Sequence, residues 1–514
     1  MAERSGAIRP STTPAPALLA LALVLGALGL GFLPVLWLGI GGGVSAFDPY
    51  LGRVLRFTLL QAGLSTLMSI SLGLLLARAL ARQQFPGRTI LVRLLNLPLA
   101  LPAIVVIIGI IDVYGNRGWL GGLFDIYGLQ GILLAHVFFN VPLAARLLLS
   151  ELERVPEESW KLAAQLQFRA RDIWRIVEWP QLRAAIPGAA LLIFLLCASS
   201  FAIVLTLGGG PRATTLEVAI YQALRADFDP PRAAALALVQ LALCASLVAI
   251  AQRFGGLMQG WPSLQRPPQR FDGYSTGARI SDGAVIAAGL GLLMPPLLTL
   301  AISGAMNIAP TPDLGRAIFT SLLLGTASAA LAFVFVWPLA AAAARLPRWR
   351  TVSRLAVLSA WIIPPAVLAT GWFISLSRVA GLSGLAPFLV IGMNGLMAMP
   401  FAYQILAPAL FEAAGRHDRL CASLGIVGWS RLRHIDIPAL RRSIGLALVM
   451  SLILSLGDLT AIALFGSQDL VTLPALIYRQ MGSYRFDAAI GTALLLSVMV
   501  FALSVLAERW SARA

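Results

Sequence analysis

Charged residues are scarce in this sequence. Asp, Glu, Lys and Arg together make up 12% of its 514 residues, whereas hydrophobic residues make up 58%, and the mean hydropathy is +0.83. Soluble domains carry about 25% charged and about 45–50% apolar residues. The composition therefore excludes an ordinary soluble domain and indicates an integral membrane protein.

Lysine is almost absent, since Lys161 in ESWKLAAQ is the only one. A P-loop needs a lysine after a glycine-rich turn to hold the phosphates of ATP, and no glycine lies near Lys161. The chain therefore cannot hydrolyse ATP in that way. We expect it to have no catalytic residues and no cofactor of its own, with any ATP bound by a partner subunit.

Cysteine and histidine are also rare. The cysteines lie in or beside apolar runs and share no spacing typical of a disulfide framework or a metal site: Cys197, Cys244 and Cys421. The histidines are scattered, without HExxH or another paired arrangement: His136, His417 and His434. The sequence thus predicts no metal site.

Long apolar runs dominate what is present. A membrane-spanning helix needs about 20 predominantly apolar residues, because lipid offers no hydrogen-bond partners to the backbone. Twelve such runs predict an all-α polytopic protein; they lie near residues 17–39, 54–77, 94–113, 129–150, 188–207, 233–251, 284–305, 317–343, 355–377, 386–410, 443–465 and 488–507.

The distribution of positive charge predicts the orientation of these spans. With the N-terminus in the cytoplasm, the segments on that side carry most of the 39 Arg and Lys residues, as the positive-inside rule requires. The net charge of +16 is then explained by topology, without nucleic acid. The first run exceeds the 7–15 residues of a signal-peptide core, so we expect a retained helix and both termini in the cytoplasm.

The chain contains an internal repeat. FRARDIWRIVEWPQLRAAI and IVGWSRLRHIDIPALRRSI place Pro180 opposite Pro438. Other residues pair at the same or nearly the same offset, including Pro142 with Pro400, Gly208 with Gly466 and Tyr221 with Tyr478. An even number of spans separates the copies, which predicts two parallel six-helix repeats related by an axis along the membrane normal.

The repeat suggests a division of the chain into five parts. We expect residues 54–251 and 316–507 to form the two permease-like repeats. The remaining parts are an N-terminal tail with the first spanning helix and an outer loop (1–53), a cytoplasmic linker with the seventh span (252–315), and a short cytoplasmic tail (508–514).

Each repeat carries a polar loop that reads as helix, turn and short amphipathic helix. In the second copy, Gly425 is a helix stop, residues 429–434 form the short helix, and Pro438 leads into the next span. This loop resembles the EAA loop of ATP-binding cassette importer permeases, which reads EAA, three residues, Gly, nine residues, Ile-x-Leu-Pro. The second copy departs from that pattern with Arg419 at the position of the Glu.

The first copy departs further. Ala163, Val177 and Pro180 match the pattern, while Lys161 takes the position of the Glu and Gln167 that of the glycine. A left-handed backbone costs a residue other than glycine about 1 kcal/mol. We therefore expect the turn at Gln167 to be opened or strained.

The resemblance implies that both loops dock on an ATPase, one copy on each, and transmit its closure. The residues it assigns to this coupling are Ala163, Gln167, Arg169, Arg171, Trp174, Pro180, Gly425, Gly428, Trp429, Arg431 and Pro438. A basic amphipathic segment could instead rest on anionic lipid headgroups.

Longer stretches are similar to the fused permeases of bacterial thiamine importers. They include YGLQGILLAHVFFNVPLAARLLL (127–149), LGGGPRATTLEVAIYQAL (207–224) and SLGDLTAIALFG (455–466). The similarity covers nearly the whole chain. It implies import of thiamine and its phosphates through the inner membrane, from a periplasmic thiamine-binding protein.

Candidates for the substrate path are few. Asp458 lies in a predicted span, where a carboxylate is by default a functional candidate, and Ser200 takes the matching position in the first repeat. The tyrosine pair Tyr221 and Tyr478 completes the predicted set. A structural role for Asp458 at the gate is the alternative.

Two other functions remain open at this stage. A fused permease for another solute, such as ferric iron or a polyamine, would have the same loops. A proton-driven secondary transporter would need intramembrane acid or histidine relays, for which Asp458 and His136 are the only candidates.

Overall fold

The computed structural model describes residues 15–41, 49–116, 118–122, 125–253, 270–376, 382–466 and 470–513. The regular elements within these ranges are helices, and no strand occurs among them. The predicted all-α fold is thereby confirmed.

The described part of the first half of the chain contains twelve α-helices. In chain order they are α1 (Ala15–Gly41), α2 (Pro49–Arg82), α3 (Arg88–Leu94), α4 (Leu97–Ala100), α5 (Ala103–Tyr114), α6 (Leu129–Glu153), α7 (Glu157–Gln165), α8 (Ala170–Asp172), α9 (Trp179–Ala198), α10 (Ala202–Leu207), α11 (Leu216–Arg225) and α12 (Pro230–Arg253). A π-helical segment, Ile173–Glu178, joins α8 to α9, and Pro211–Ala213 forms a 3-10 turn.

The described part of the second half contains ten α-helices. They are α13 (Thr276–Met306), α14 (Pro312–Arg345), α15 (Pro347–Ile362), α16 (Pro365–Leu376), α17 (Leu382–Ser423), α18 (Gly428–Arg431), α19 (Ile437–Leu456), α20 (Thr460–Phe465), α21 (Leu473–Gly482) and α22 (Phe486–Arg513). A second π-helical segment, Leu432–Asp436, joins α18 to α19. The predicted repeat therefore extends to matching helix breaks and matching π-helical segments.

Ten helices in the described ranges are long and apolar enough to cross a membrane, so the predicted number of twelve is not confirmed. The run at residues 94–113 is broken into short helices, and only the 12-residue Ala103–Tyr114 remains as an apolar helix. The run at 355–377 is bent by 83° between α15 and α16. Prolines explain both breaks, because Pro102 and Pro364 disfavour helical backbone at the residue before them.

The chain divides into two compact units, and neither is contiguous. One unit comprises Met1–Gly41, Pro310–Leu476 and Val498–Ala514. The other comprises Gly42–Ala309 and Ile477–Ser497. The helix that precedes the first repeat, α1, is thus part of the unit built from the second repeat, while α13 is part of the unit built from the first.

Glycine allows α1 to approach α16 very closely. A Cβ atom on Gly371 would lie 1.6 Å from the carbonyl oxygen of Gly31, and one on Gly31 would lie 2.4 Å from Leu368 Cδ1. The indole Nε1 of Trp372 donates a hydrogen bond of 2.9 Å to the carbonyl oxygen of Ala27. Small residues permit this kind of close backbone packing between helices in lipid.

In the other unit, α13 packs on α5 in a similar manner. A Cβ atom on Gly109 would lie 2.6 Å from the carbonyl oxygen of Pro296. Ser303 Oγ donates a hydrogen bond of 3.0 Å to Asp112 Oδ2. The contacts of α1 and α13 are therefore of the same kind. Each of these helices comes from one half of the sequence and packs against the repeat of the other half.

We predict that Gly371→Ala destabilises the protein, because its methyl group has no room against α1. Overpacking of this kind costs about 1–3 kcal/mol, so the melting temperature of the purified protein in detergent should fall. Gly26→Ala on α1 is the matched control, since a Cβ atom there meets nothing within 4 Å. Equal melting temperatures for the two variants would contradict the packing described here.

Candidate functional sites: the two loops and the helix breaks

The first loop, residues 157–180, contains the turn that the sequence predicts to be unusual. Gln167 adopts φ +51°, which is left-handed backbone. The N–H of Phe168 donates to the carbonyl oxygen of Ala163 at 3.0 Å, and the N–H of Gln167 donates to that of Ala164 at 3.1 Å. This is the double hydrogen bond of a Schellman helix end. The turn is closed rather than opened, and Gln167 itself carries the backbone strain.

The second loop, residues 415–438, ends its helix in the same way. Gly425 adopts φ +66°. The N–H of Ile426 donates to the carbonyl oxygen of Cys421 at 2.9 Å, and the N–H of Gly425 donates to that of Ala422 at 3.4 Å. The two loops therefore share one turn geometry, with glutamine in the first where glycine stands in the second.

After the turn, each loop runs without a break into the following span. In the first loop Asp172 Oδ2 accepts a hydrogen bond of 3.1 Å from the N–H of Arg169, at the start of α8. In the second loop Gly428 begins α18 with φ +61°. The continuous helical runs are Ala170–Ala198 and Gly428–Leu456, and π-helical segments inside helices occur frequently at functional sites.

The predicted docking residues differ in what they present to solvent. Trp429 is 72% exposed, beside the exposed side chains of Leu424 and Val427. Trp174 is half-buried instead: its ring packs on Trp179 at 5.7 Å and lies under the guanidinium of Arg78 at 5.1 Å. The second loop thus offers a more prominent aromatic contact than the first.

The remaining predicted loop residues fall into two groups. Exposed positions are Arg169, Arg171, Pro180, Gly428 and Pro438. Ala163 and Arg431 are buried, at 1% and 7% exposure. Arg431 therefore belongs to the interior of its loop and offers little surface to a docking partner.

A buried carboxylate anchors the first loop. The side chain of Glu178, at the end of the π-helical segment, is fully buried and accepts hydrogen bonds from Arg78 at 2.7 Å and Arg270 at 2.6 Å. Arg270 also pairs with Asp272 at 2.7 Å, and Arg82 pairs with Asp272 at 3.2 Å. Arg78 lies on α2 and Arg270 precedes α13, so the loop is tied to both.

The equivalent carboxylate in the second loop is Asp436. It accepts a hydrogen bond from Arg345, on α14, at 2.9 Å, and lies 3.5 Å from Arg431 Nε. Asp418 closes the group by accepting a short hydrogen bond from Arg431. No sequence motif marks these clusters, although Glu178 and Asp436 each stand two residues before the repeated prolines.

These ion pairs shift the pKa values of their members. Burial alone would raise the pKa of Asp272, but the hydrogen bond and charge of Arg270, together with Arg82, lower it below its usual value. Burial alone would lower the pKa of Arg431, but its pairs with Asp418 and Asp436 raise it. Both groups therefore stay charged at neutral pH.

The predicted path residues lie at matching helix breaks. Asp458 follows α19, and its carboxylate accepts hydrogen bonds from the N–H groups of Thr460 at 3.1 Å and Ala461 at 2.9 Å. It thus caps the first turn of α20, a role that a carboxylate performs well at a helix N-terminus. This contact gives Asp458 a structural function within its unit, whatever else it binds.

The other three path residues belong to the second of the two units. Ser200 is half-buried in the break between α9 and α10. The ring of Tyr221 packs edge-on against Phe201, with centroids 5.4 Å apart. Tyr478 is half-buried on α21.

His136, a candidate for a proton relay, is part of the helix packing between α2 and α6. It is buried, and its Nδ1 lies 3.0 Å from Ser65 Oγ. Asn140 Nδ2 donates to Cys197 Sγ at 3.3 Å nearby, and in the other unit Asn394 Nδ2 donates to Ser455 Oγ at 2.9 Å. Within the described ranges no group of three or more His, Cys, Asp or Glu side chains could hold a metal ion.

The shared turn generates a reciprocal prediction. Gln167→Gly should stabilise the first turn by about 1 kcal/mol, and Gly425→Gln should destabilise the second by a similar amount, because only glycine adopts left-handed backbone without strain. Amide hydrogen exchange at Phe168 should slow about fivefold in the first variant, and exchange at Ile426 should accelerate about fivefold in the second. Changes of the same sign in both variants would contradict the shared geometry.

Known proteins resemble the chain over almost all of its length. No family model matches it. The thiamine transport system permease protein of Brucella abortus (strain 2308) is 44% identical over 537 aligned residues, which cover 99% of this chain and 98% of the relative. The protein of the same description from Escherichia coli (strain K12) is 44% identical over 491, covering 91% and 90%.

A more distant relative is named for a different substrate. The sulfate transport system permease protein of Synechococcus elongatus is 31% identical over 156 residues, covering 27% of this chain and 54% of the relative. The near-complete coverage of the first two relatives, together with two matching loops on matching helix breaks, decides the family. The chain belongs to the family of thiamine transport system permease proteins.

Proposed function

We propose that the chain is the permease subunit of an ATP-binding cassette importer, which translocates thiamine and its phosphates across the bacterial inner membrane. The observation that supports this most strongly is the identity of 44% to thiamine transport permeases over 99% of the chain. A periplasmic thiamine-binding protein delivers the substrate, and both termini of the permease lie in the cytoplasm.

In this proposal the two loops bind two copies of a separate ATPase subunit. The exposed apolar side chains of the second loop form a contact that water disfavours, and such patches mark protein interaction sites. The equivalent turn in the first loop presents the exposed side chains of Leu162 and Leu166. Two loops of one geometry fit two copies of one partner.

The anchors explain how movement of the ATPase would reach the membrane. Each loop continues as one helical run into a span, and each is tied through a buried carboxylate to the end of a long spanning helix, α2 in one unit and α14 in the other. Removing one partner of a buried ion pair costs about 3–5 kcal/mol. A displaced loop therefore moves these helix ends with it.

The residues that we expect to contact the substrate along its path are Asp458, Ser200, Tyr221 and Tyr478. Thiamine is a cation, and an aromatic ring such as that of Tyr221 attracts cations through its face. In the other unit, Asp458 offers a negative charge to a cation, although its two backbone hydrogen bonds occupy part of its accepting capacity. The binding protein performs most of the selection, so we expect weak binding along this path.

We predict that Trp429→Ala uncouples transport from ATP hydrolysis, because it removes the most exposed aromatic contact of the second loop. In proteoliposomes with the ATPase and the binding protein, thiamine uptake should fall about tenfold or more, as expected for loss of an interface aromatic contributing about 2 kcal/mol. Phe228→Ala is the control, since Phe228 is 76% exposed but lies outside both loops. Unchanged uptake and unchanged ATPase association in Trp429→Ala would refute the docking site.

The substrate is tested by reconstituting the same complex with labelled thiamine. We expect ATP-dependent uptake of thiamine that unlabelled thiamine phosphates inhibit. Uptake of ferric iron or a polyamine without uptake of thiamine would overturn the assignment of the substrate and leave the permease assignment intact. Uptake driven by a proton gradient in the absence of the ATPase would overturn the assignment of the energy source.

A further inference from the structure

The two loops use different residues for the same anchor. At the position where the second loop has Arg431, the first loop has Ile173, as the repeated prolines align them. Ile173 is fully buried in an apolar cluster with Val155 and Trp160. The first loop therefore lacks an internal arginine to pair with its buried carboxylate, Glu178.

The missing cation comes from the linker between the repeats. Arg270 is buried, with 1% of its side chain exposed, and its Nη2 lies 2.6 Å from Glu178 Oε1. Its guanidinium also lies over the ring of Trp160, 4.0 Å from the centroid. Trp160 stands at the position of Asp418 in the second loop, which is the residue that pairs there with Arg431. Arg270 thus supplies to Glu178 the positive charge that Arg431 supplies to Asp436 in the second loop.

Charge balance in each cluster depends on this replacement. The first cluster contains three arginines and three carboxylates: Arg78, Arg82, Arg270, Glu178, Asp272 and Asp282. The second contains two of each: Arg345, Arg431, Asp418 and Asp436. Without Arg270 the first cluster would keep an unbalanced negative charge in a buried place, which is strongly unfavourable.

The residues that follow Arg270 in the sequence also pack closely against their surroundings. Phe271 packs on the apolar cluster of Val155, Trp160 and Ile173. A Cβ atom on Gly273 would lie 2.7 Å from the carbonyl oxygen of Arg82, and Gln83 Nε2 donates to the carbonyl oxygen of Gly273 at 3.2 Å. Residues 270–273, which we name the linker clasp, therefore contact the helix before the turn, the π-helical segment after it, and the end of α2.

We infer that the linker clasp positions the first loop for coupling, with Arg270 supplying from outside the loop the cation that the second loop carries as Arg431. Arg270 acts as a positioning residue through Glu178. The inference rests on the proposed function for its link to transport, because the loop must bind the ATPase for its position to matter. The ordering of the loop itself does not depend on that function.

The first measurement needs only the isolated permease. In Arg270→Gln, amide hydrogen exchange in residues 157–178 should accelerate about tenfold, while exchange in residues 415–436 stays unchanged. Arg154→Gln is the matched control, because it breaks a partly exposed pair with Glu151 on the neighbouring helix and should leave both loops unchanged. Equal exchange of the first loop in Arg270→Gln and in the unaltered protein would overturn the inference.

The second measurement uses the full complex with labelled thiamine. Arg270→Gln should raise the ATP hydrolysed per thiamine imported about tenfold, a ratio that a general loss of folded protein would not change. A ratio equal to that of the unaltered complex, with accelerated exchange, would overturn the coupling role of the clasp. If the unaltered permease bound no ATPase, the proposed function would fail, and the exchange result would still decide whether the clasp orders the loop.

A rescue variant distinguishes loss of the ion pair at Glu178 from general misfolding. Introducing Ile173→Arg into Arg270→Gln places an arginine inside the first loop, at the position that Arg431 has in the second, and restores three arginines to the three carboxylates. Both the exchange rate and the ATP-to-thiamine ratio should return toward their original values. Failure of a folded, membrane-inserted double variant to restore either one would show that Arg270 does not substitute for Arg431.

Discussion

The structure of each loop depends on a buried carboxylate whose negative charge must be balanced by a cation. Glu178 and Asp436 stand at the junction of loop and span, and water cannot reach them well enough to stabilise their charge. Each is therefore held by two arginines that come from different parts of the chain. This requirement brings the end of a spanning helix, the loop and, in the first repeat, the linker together at one place.

The two loops share one turn geometry although different residues stabilise it. Gln167 adopts the left-handed backbone of Gly425 because the two Schellman hydrogen bonds and the packing of Phe168 against the buried Val155–Trp160–Ile173 cluster outweigh a strain of about 1 kcal/mol. Similarly, Glu178 is paired with an arginine although Ile173 takes the position that Arg431 has in the second loop. The symmetric part of the site is the backbone, and the asymmetric part is the set of side chains that stabilise it.

Much of this could be predicted from the sequence, because hydropathy and the offset between Pro180 and Pro438 are local or periodic signals. They identify the helical membrane fold, the two loops and their turns. They do not identify the clasp, since Arg270 and Glu178 are 92 residues apart and no pattern links them. The packing of α1 on α16 has no local signal either, because its contacts join residues 345 positions apart. The break at Pro102, in contrast, follows from the proline itself.

The packing of α1 against α16 has a consequence for the synthesis of the protein. The hydrogen bond from Trp372 to Ala27 joins residues 345 positions apart. Contacts of such long sequence separation form late, because a long loop must close first. During translation at about 5–20 residues per second, α1 therefore spends tens of seconds in the membrane without its glycine-lined partner. Until α16 has been made, the backbone of α1 around Gly31 therefore lacks the helix that covers it in the complete protein.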